Sequence, residues 1–247
     1  MGERVALVSG GTGALGRVIC DRLVRDGLKV VANCHPADGA AARAWQQKLA
    51  VEGTDVALYP FDVSDHETAR EEIERIQEEV GPIEVLVNAA GITRDSPLVK
   101  MSPTDWSAVL RTNLDSLYNT TRHVVPGMVE RRFGRVVNLS SVNGQRGQFG
   151  QSNYAAAKAG VHGFTMAVAR EVARKGVTVN TVSPGYIRSP LVMAVPEDVR
   201  TRILEQIPVG RFGEPAEVAR VVSFLVADEA SYITGADLSV NGGYHMS

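Results

Sequence analysis

The sequence predicts one α/β domain, a doubly wound parallel sheet of about seven strands with helices on both faces. Short apolar runs alternate regularly with longer segments of helical periodicity along the chain. The first apolar run leads into a glycine-rich turn, as a buried parallel strand does before a helix. We see no interdomain linker in the sequence. A chain of 247 residues is often a single domain in α/β folds.

The first unit is a strand followed by a helix. Val5 to Val8 form a short apolar run with β-branched members that ends at Ser9-Gly10-Gly11. Between residues 15 and 28, apolar side chains recur at the spacing of one helix face, and Gly27 ends the pattern as a C-cap does.

The same alternation continues to the end of the chain. We predict further strands near residues 29–33, 55–60, 83–88, 134–140, 177–183 and 237–240, and helices near 39–52, 65–80, 103–131, 152–175 and 214–227. Asp65 and Ser102-Pro103 are typical of helix starts.

Residues 186–213 do not fit the alternation. This stretch is rich in Pro, Arg and Gly, and we expect it to leave the sheet as a lid over a substrate site. A plain surface loop is the alternative interpretation.

The composition argues against several classes of protein. The formal net charge is -2, and neither a Lys/Arg tract nor an aromatic stripe suggests a nucleic-acid partner. We expect a cytoplasmic protein with no membrane partner, because no signal sequence is apparent and no uncharged apolar run reaches about 18 residues. Cys20 and Cys34 are too few for a disulfide framework, and the five histidines lack metal-ligand spacing, so we expect no metal.

The first strand-to-helix turn is the candidate dinucleotide site. Ligands of open parallel sheets bind at the carboxyl ends of the strands, where the strand order reverses. Glycines let the backbone approach a pyrophosphate, and free N–H groups at the following helix start favour an anion. The candidate residues in the turn are Gly10, Thr12, Gly13, Ala14, Leu15 and Gly16. A merely structural turn is the alternative.

A second pattern indicates carbonyl reduction. Tyr154 and Lys158 are four residues apart in a helical segment, so both side chains lie on one face. A phenol is a poor proton donor near neutral pH unless a nearby cation stabilises its phenolate, and the lysine supplies that cation. Ser141 can donate a hydrogen bond to the same substrate oxygen. Asn113 could hold a water that links Lys158 to solvent. A surface Tyr/Lys pair is the alternative for this motif alone.

Together these motifs resemble the short-chain dehydrogenase/reductase family across nearly the whole chain. The shared features are the glycine loop, the Tyr-x-x-x-Lys pair, Ser141 thirteen residues before the tyrosine, the upstream Asn113, and Ser183-Pro184-Gly185 at a strand end. The resemblance implies a Rossmann-type fold and assigns catalysis to Asn113, Ser141, Tyr154 and Lys158. Ala14 and Ala89 replace a glycine and an asparagine that are usual in the family.

The resemblance also implies NADH or NADPH as cofactor. Beyond the glycine loop, the residues expected at the cofactor are Asn33, His35, Asp62, Val63, Asn88, Ala90, Gly91, Tyr154, Lys158, Pro184, Gly185 and Ile187. No acidic residue that would select NAD ends the second strand, and Gly13 and Ala40 stand where related reductases often carry a cation. Arg43 is the nearest cation, and it would need a bent loop to reach the 2′-phosphate. We therefore expect a relaxed cofactor preference with NADH usable.

A closer resemblance is to the acetoacetyl-CoA reductases of polyhydroxybutyrate synthesis. It rests on residues 91–95, 140–145, 147–151 and 241–246. It implies reduction of acetoacetyl-CoA, a 3-ketoacyl-CoA, to (R)-3-hydroxybutyryl-CoA. The substrate pocket would then be bordered by Asp95, Ser141, Gln148, Phe149, Gln151, Tyr154, Gly185 and Tyr186. Arg188-Ser189-Pro190-Leu191 departs from the usual lid sequence.

Two other functions stay open at this point. The first is a 3-oxoacyl-(acyl-carrier-protein) reductase of fatty acid synthesis, whose acidic carrier would dock on Arg131, Arg132 and Lys175 if these form a basic patch and not a solvated face. The second is a dinucleotide-sensing regulator without turnover, against which the intact catalytic set argues. The resemblance further implies a homotetramer built partly from the helices at 103–131 and 152–175.

Overall fold

The computed structural model describes residues 3–51 and 53–246, except for the side chain of Leu191. Within these residues one sheet has seven parallel strands in the order β3-β2-β1-β4-β5-β6-β7. The strands are β1 Val5–Ser9, β2 Lys29–Cys34, β3 Val56–Pro60, β4 Ile83–Asn88, β5 Gly134–Leu139, β6 Val177–Pro184 and β7 Asp237–Val240. This confirms the predicted doubly wound sheet.

Helices connect the strands. They are α1 Ala14–Arg25, α2 Gly39–Val51, α3 His66–Glu79, α4 Pro103–Leu110, α5 Ser116–Arg131, α6 Val142–Arg146, α7 Ser152–Val172, α8 Pro190–Met193, α9 Glu197–Leu204 and α10 Pro215–Val226. The helix predicted near 39–52 thus reaches Val51, and residue 52 lies outside the described residues. The Asp65 carboxylate accepts from the Thr68 backbone N–H, and the Ser102 hydroxyl accepts from that of Asp105, so both predicted helix starts are capped.

The core has two layers because both faces of the sheet are covered. On one face α1, α2 and α10 place apolar side chains such as Leu23, Leu49 and Leu225 against the strands. On the other face α3, α5 and α7 do so with Ile73, Met128 and Val172. Strands buried on both sides require continuous apolar runs, which explains why β1 is buried at every position.

The helix predicted over 103–131 is interrupted. Residues 111–115 form a π-helical turn between α4 and α5. The Asn113 side-chain amide lies in this turn and donates to the carbonyl oxygens of Ile92 and Val109, at 2.9 Å each. Such side-chain bonds compete with the regular helical pattern, and π turns are frequent at functional sites. The single-helix prediction was therefore wrong at this turn.

The segment 186–213 leaves the sheet, as expected, but it contains the two short helices α8 and α9. A β-bridge between Ile187 and Gly213 closes the segment at its base. Its role as a lid stays a prediction. None of the helices in the described part of the chain is long and apolar enough to span a membrane.

Candidate active site

The glycine loop joins β1 to α1 at the point where the strand order reverses. Gly10 has a φ of 62°, and a Cβ built on it would lie 2.7 Å from the Cα of Ala90. A side chain there would strain the backbone and overlap the end of β4. The loop is therefore pressed against the neighbouring strand, which leaves its other side free for a ligand. Ala14, Leu15 and Gly16 form the first turn of α1, where backbone N–H groups favour an anion.

A cavity of about 620 Å³ lies over this loop. It extends from the glycine loop along the ends of β2, β3 and β4. Of the predicted cofactor residues, it is lined by Gly10, Thr12, Gly13, Asn33, His35, Asp62, Val63, Ala90 and Gly91. The elongated lining, the glycine cradle and the helix N-terminus fit an extended dinucleotide.

Two asparagines predicted to contact the cofactor direct their side chains into the protein. The Asn33 amide donates to the carbonyl oxygen of Phe61 at 2.9 Å, and its Oδ1 accepts from the Gly10 backbone N–H at 3.2 Å. The Asn88 amide donates to Oδ1 of Asn138 at 2.8 Å, and its own Oδ1 accepts from the Thr120 hydroxyl at 2.7 Å. These bonds give both side chains structural partners that hold the glycine loop and the β4 end in place.

Arg17 is a cavity residue that the sequence analysis missed. It lines the same cavity as Cys34 and His35 at the end of β2. Its Nε donates to the carbonyl oxygen of Thr12 at 2.6 Å, and its guanidinium lies 5.5 Å from the ring centroid of Trp45. Arg43, the cation named from the sequence, is not among the lining residues. Its position directly after Gly16, in the helix that follows the glycine loop, could have indicated that Arg17 lies at the cofactor cavity.

Tyr154 and Lys158 face the end of β5 from α7, as their spacing predicts. The Lys158 ammonium lies 5.7 Å from the ring centroid of Tyr154 and donates to the carbonyl oxygen of Leu139 at 2.7 Å. Ser141 follows β5 directly and caps α6, where its hydroxyl accepts from the Asn143 backbone N–H at 3.1 Å. The three predicted groups therefore converge at one point.

Asn113 reaches the same point from the π turn. A Cβ built on Gly91 would lie 2.6 Å from the Asn113 Oδ1 and 3.6 Å from the Lys158 Nζ, so both polar atoms border this glycine. The Asn113 Oδ1 is buried without a protein partner. An unpaired buried acceptor is costly unless a water or ligand satisfies it.

Burial shifts the pKa values of the two central groups. It lowers the pKa of Lys158 to about 8, because desolvation disfavours the ammonium. Burial raises the pKa of Tyr154, a hydrogen bond from Ser141 opposes this rise, and the Asp95 charge adds to it. The phenol is thus protonated at neutral pH, beside a lysine whose pKa lies closer to neutrality than usual.

The predicted substrate residues form two groups at the mouth of this site. In the first, the Gln151 amide donates to the Asp95 carboxylate at 2.8 Å, and its Oε1 accepts from the Asn143 amide at 2.9 Å. Gln148 is exposed nearby, and Phe149 is 86% exposed, which is unusual for a phenylalanine.

The second group follows β6. Pro184 is buried at the strand end and Ile187 is 8% exposed. A Cβ on Gly185 would lie 2.8 Å from the Cα of Asn241, so the chain passes close to the residues after β7 here. The Tyr186 ring lies 5.5 Å from Tyr244 in an edge-on arrangement.

The comparisons agree with this geometry. Residues 11–245 match a family model described as Enoyl-(Acyl carrier protein) reductase. The chain belongs to the short-chain dehydrogenase/reductase family. It is 55% identical over 243 residues to an acetoacetyl-CoA reductase of Allochromatium vinosum, an alignment that covers 98% of this chain and 99% of the relative.

Two further relatives of this short-chain dehydrogenase/reductase are similar over their full lengths. An acetoacetyl-CoA reductase of Cupriavidus necator is 50% identical over 246 residues, with 100% of both chains covered. A 3-oxoacyl-(acyl-carrier-protein) reductase of Pseudomonas aeruginosa is 45% identical over 244 residues, which is 99% of this chain and 98% of the relative. The protein is therefore an oxidoreductase that uses a nicotinamide cofactor and acts on a small molecule.

Proposed function

We propose that this enzyme reduces the 3-keto group of acetoacetyl-CoA to give (R)-3-hydroxybutyryl-CoA, which feeds polyhydroxybutyrate synthesis. The observation that carries the proposal is the full-length similarity, at 50% identity or more, to two proteins named acetoacetyl-CoA reductase. The convergence of Ser141, Tyr154 and Lys158 beside the dinucleotide cavity supports the reaction type.

Tyr154 is the proton donor in this proposal. The reduced nicotinamide, when bound, supplies the hydride to the carbonyl carbon. As the carbonyl oxygen gains negative charge, the Tyr154 hydroxyl gives it a proton, which yields the alcohol and a phenolate. The raised pKa of Tyr154 keeps the hydroxyl protonated before the reaction, and burial is the main cause.

Lys158 stabilises the phenolate by its positive charge and returns a proton to it. Its low pKa, near 8, makes that transfer easy. The unpaired Oδ1 of Asn113 beside Lys158 supports the view that Asn113 holds a water on the path to solvent. The Ser141 hydroxyl donates to the substrate oxygen and stabilises its developing charge.

The cavity residues hold the cofactor. The glycine loop binds the pyrophosphate, while His35, Asp62 and Val63 border the adenosine end. Both NADH and NADPH are accepted, because β2 ends in Cys34 and not in a carboxylate, and Arg17 offers a cation to a phosphate. Pro184, Gly185 and Ile187 form the nicotinamide side.

The acyl thioester lies between the Asp95–Gln151 pair and Tyr186. The exposed Phe149 supports this arrangement, since an acyl chain packed on its ring would cover apolar surface. Gln148 contacts the polar part of the thioester. Residues 186–213 close over the substrate as a lid.

The active assembly is a homotetramer in the cytoplasm. Tyr118 on α5 is 48% exposed and Met166 on α7 is 51% exposed, which supports subunit contacts through these helices. Light scattering coupled to gel filtration measures the subunit count, and a stable monomer would contradict this assignment.

The test of function is the loss of reduced-nicotinamide absorbance with a panel of thioesters. We expect rapid oxidation with acetoacetyl-CoA and with either cofactor, and chiral analysis of the product should show the (R) alcohol. Tyr154→Phe provides the background rate.

The same panel separates the alternatives. Turnover only with acetoacetyl-acyl carrier protein would assign the enzyme to fatty acid synthesis, which the 45% identical relative makes the second candidate. Turnover only with an enoyl thioester would show that the enzyme reduces a carbon–carbon double bond and not a carbonyl group. Cofactor binding without turnover of any substrate would favour a regulator.

A further inference from the structure

A histidine without a role in the reaction above lies directly behind the catalytic residues. His162 is one turn after Lys158 on α7, and its side chain is 21% exposed. Its Nδ1 lies 3.1 Å from Oδ2 of Asp237, the first residue of β7. Its Nε2 lies 2.8 Å from the hydroxyl oxygen of Ser140, the residue between β5 and Ser141. The imidazole thus links β5 to β7.

Ser140 connects the ring to the backbone of α7. Its hydroxyl donates to the backbone carbonyl oxygen of Lys158 at 2.7 Å, and the same hydroxyl oxygen contacts Nε2 of His162. The ring therefore holds Ser140 where the end of β5 meets α7.

Asp237 holds the other ring nitrogen. Besides its 3.1 Å contact with Nδ1 of His162, the carboxylate receives hydrogen bonds from the Ser183 hydroxyl at 2.6 Å and from the Gln145 amide at 2.7 Å. Although burial alone would raise the pKa of Asp237, the hydrogen bonds from His162 and Ser183 bring it below its usual range. The carboxylate is thus fixed by β6 and α6 and anchors the ring in turn.

Asp237 is the charged group that faces this ring. Lys158 on the same helix directs its ammonium to the carbonyl oxygen of Leu139. Arg146, at the end of α6, lies over the Tyr244 ring, 4.2 Å from its centroid. The other neighbours, Ser140 after β5 and Ser183 on β6, are neutral.

We propose that His162, held in place by Asp237, is a positioning residue for catalysis. Through Nε2 it keeps the Ser140 hydroxyl oriented toward the Lys158 backbone. This bond and the bond from the Lys158 ammonium to Leu139 fix the end of β5 to α7 at two points. Ser141, the next residue, is thereby held opposite Tyr154. The inference rests on the proposed carbonyl reduction for its catalytic consequence but not for the contacts of His162.

Nuclear magnetic resonance of protein labelled with ¹⁵N in its histidines tests the two ring contacts. The ring signals of His162, assigned by their loss in His162→Gln, should shift in Asp237→Asn and in Ser140→Ala. Signals that stay unmoved in both variants would overturn the proposal whatever the enzyme reduces.

Kinetics test the positioning role. His162→Leu removes both ring contacts, whereas His162→Gln keeps an amide that can reach Ser140. We expect kcat to fall about tenfold in the Leu variant, with KM for the thioester within about twofold, and to recover to within about threefold of wild type in the Gln variant. His123→Leu on α5, a partly buried histidine outside this network, is the matched control and should keep kcat.

Three kinetic results would overturn the role: an unchanged kcat in His162→Leu, equal losses in the Leu and Gln variants, or a loss confined to KM. These readings use the best carbonyl substrate of the thioester panel. Histidine signals that respond to both substitutions, together with turnover of another thioester, would therefore retain this inference while correcting the proposed substrate.

Discussion

The Lys158 ammonium donates a 2.7 Å hydrogen bond to the backbone carbonyl oxygen of Leu139, the last residue of β5. This bond spans nineteen positions of sequence and keeps a buried cation under the ring of Tyr154. A buried ammonium needs such an acceptor because desolvation otherwise favours its neutral form. The end of a sheet strand thus determines where the charge of the active site lies.

The first prediction concerns the pH dependence of reduction. Burial lowers the pKa of Lys158 to about 8, so the ammonium loses its proton as the pH rises through that value. Because the charged form is the active one, kcat/KM should be flat below this pH and fall above it, while Tyr154 stays protonated. Initial rates in a buffer series measure the profile.

Lys158→Arg serves as the control for this profile. A guanidinium does not lose its proton in this range, so the decline near pH 8 should disappear even if the overall rate is lower. A wild-type profile that stays flat well above pH 8 would contradict the assignment to Lys158.

The second prediction concerns Tyr154→Phe. The substitution removes the proton donor and little packing, so turnover should fall by about 10²–10⁴. Cofactor affinity, measured by fluorescence titration, should stay within about threefold. Tyr232→Phe is the matched control, because Tyr232 is fully exposed and far from the proposed chemistry. If Tyr154→Phe kept nearly wild-type turnover, the proton would have to come from another group.

The third prediction compares two glycines with left-handed backbone. Gly27, with a φ of 84°, has no atom near the position of an added Cβ, whereas at Gly10 that atom would meet the Cα of Ala90 at 2.7 Å. Gly27→Ala should lower the free energy of unfolding by about 1–2 kcal/mol through backbone strain alone. Gly10→Ala should cost more and also weaken cofactor binding.

Denaturant unfolding and cofactor titration measure both glycine variants. Equal destabilisation with unchanged cofactor affinity would mean that the glycine loop can move away from β4 without loss.

The fourth prediction concerns the choice of cofactor. If Arg17 offers its cation to the 2′-phosphate, Arg17→Gln should raise KM for NADPH about tenfold and leave KM for NADH within about twofold. Arg43→Gln is the matched control and should change neither constant. An equal rise for both cofactors would show that Arg17 acts on the loop through its bond to Thr12.

Much of this site was predictable because it is local in sequence. The spacing of Tyr154 and Lys158 places both side chains on one face of any helix. The glycine loop reaches the carboxyl ends of the strands simply because it connects a strand to the helix that follows it. Arg17 was missed because its position beside the end of β2 depends on how α1 packs. The spacing of residues in the sequence does not reveal that packing.

The π turn and the inward asparagines show a second limit. Helical periodicity across residues 103–131 does not reveal that the Asn113 amide donates to the carbonyl oxygens of Ile92 and Val109. Similarly, Asn33 precedes the last residue of β2 and Asn88 ends β4, both near the cofactor cavity, but their amides donate to Phe61 and Asn138. Buried polar groups require partners, and which partners are within reach depends on the assembled sheet.

The sequence by itself determined the order of strands and helices, the glycine loop and the catalytic spacing, because each depends on short-range periodicity and backbone conformation. Only the tertiary structure decided which distant residues meet. Ser140 follows β5, His162 lies on α7 and Asp237 begins β7, and their contacts exist because the sheet brings the carboxyl end of β5 and the start of β7 to either side of β6. A periodic pattern specifies the face of an element, whereas the partner across that face is set by packing and strand order.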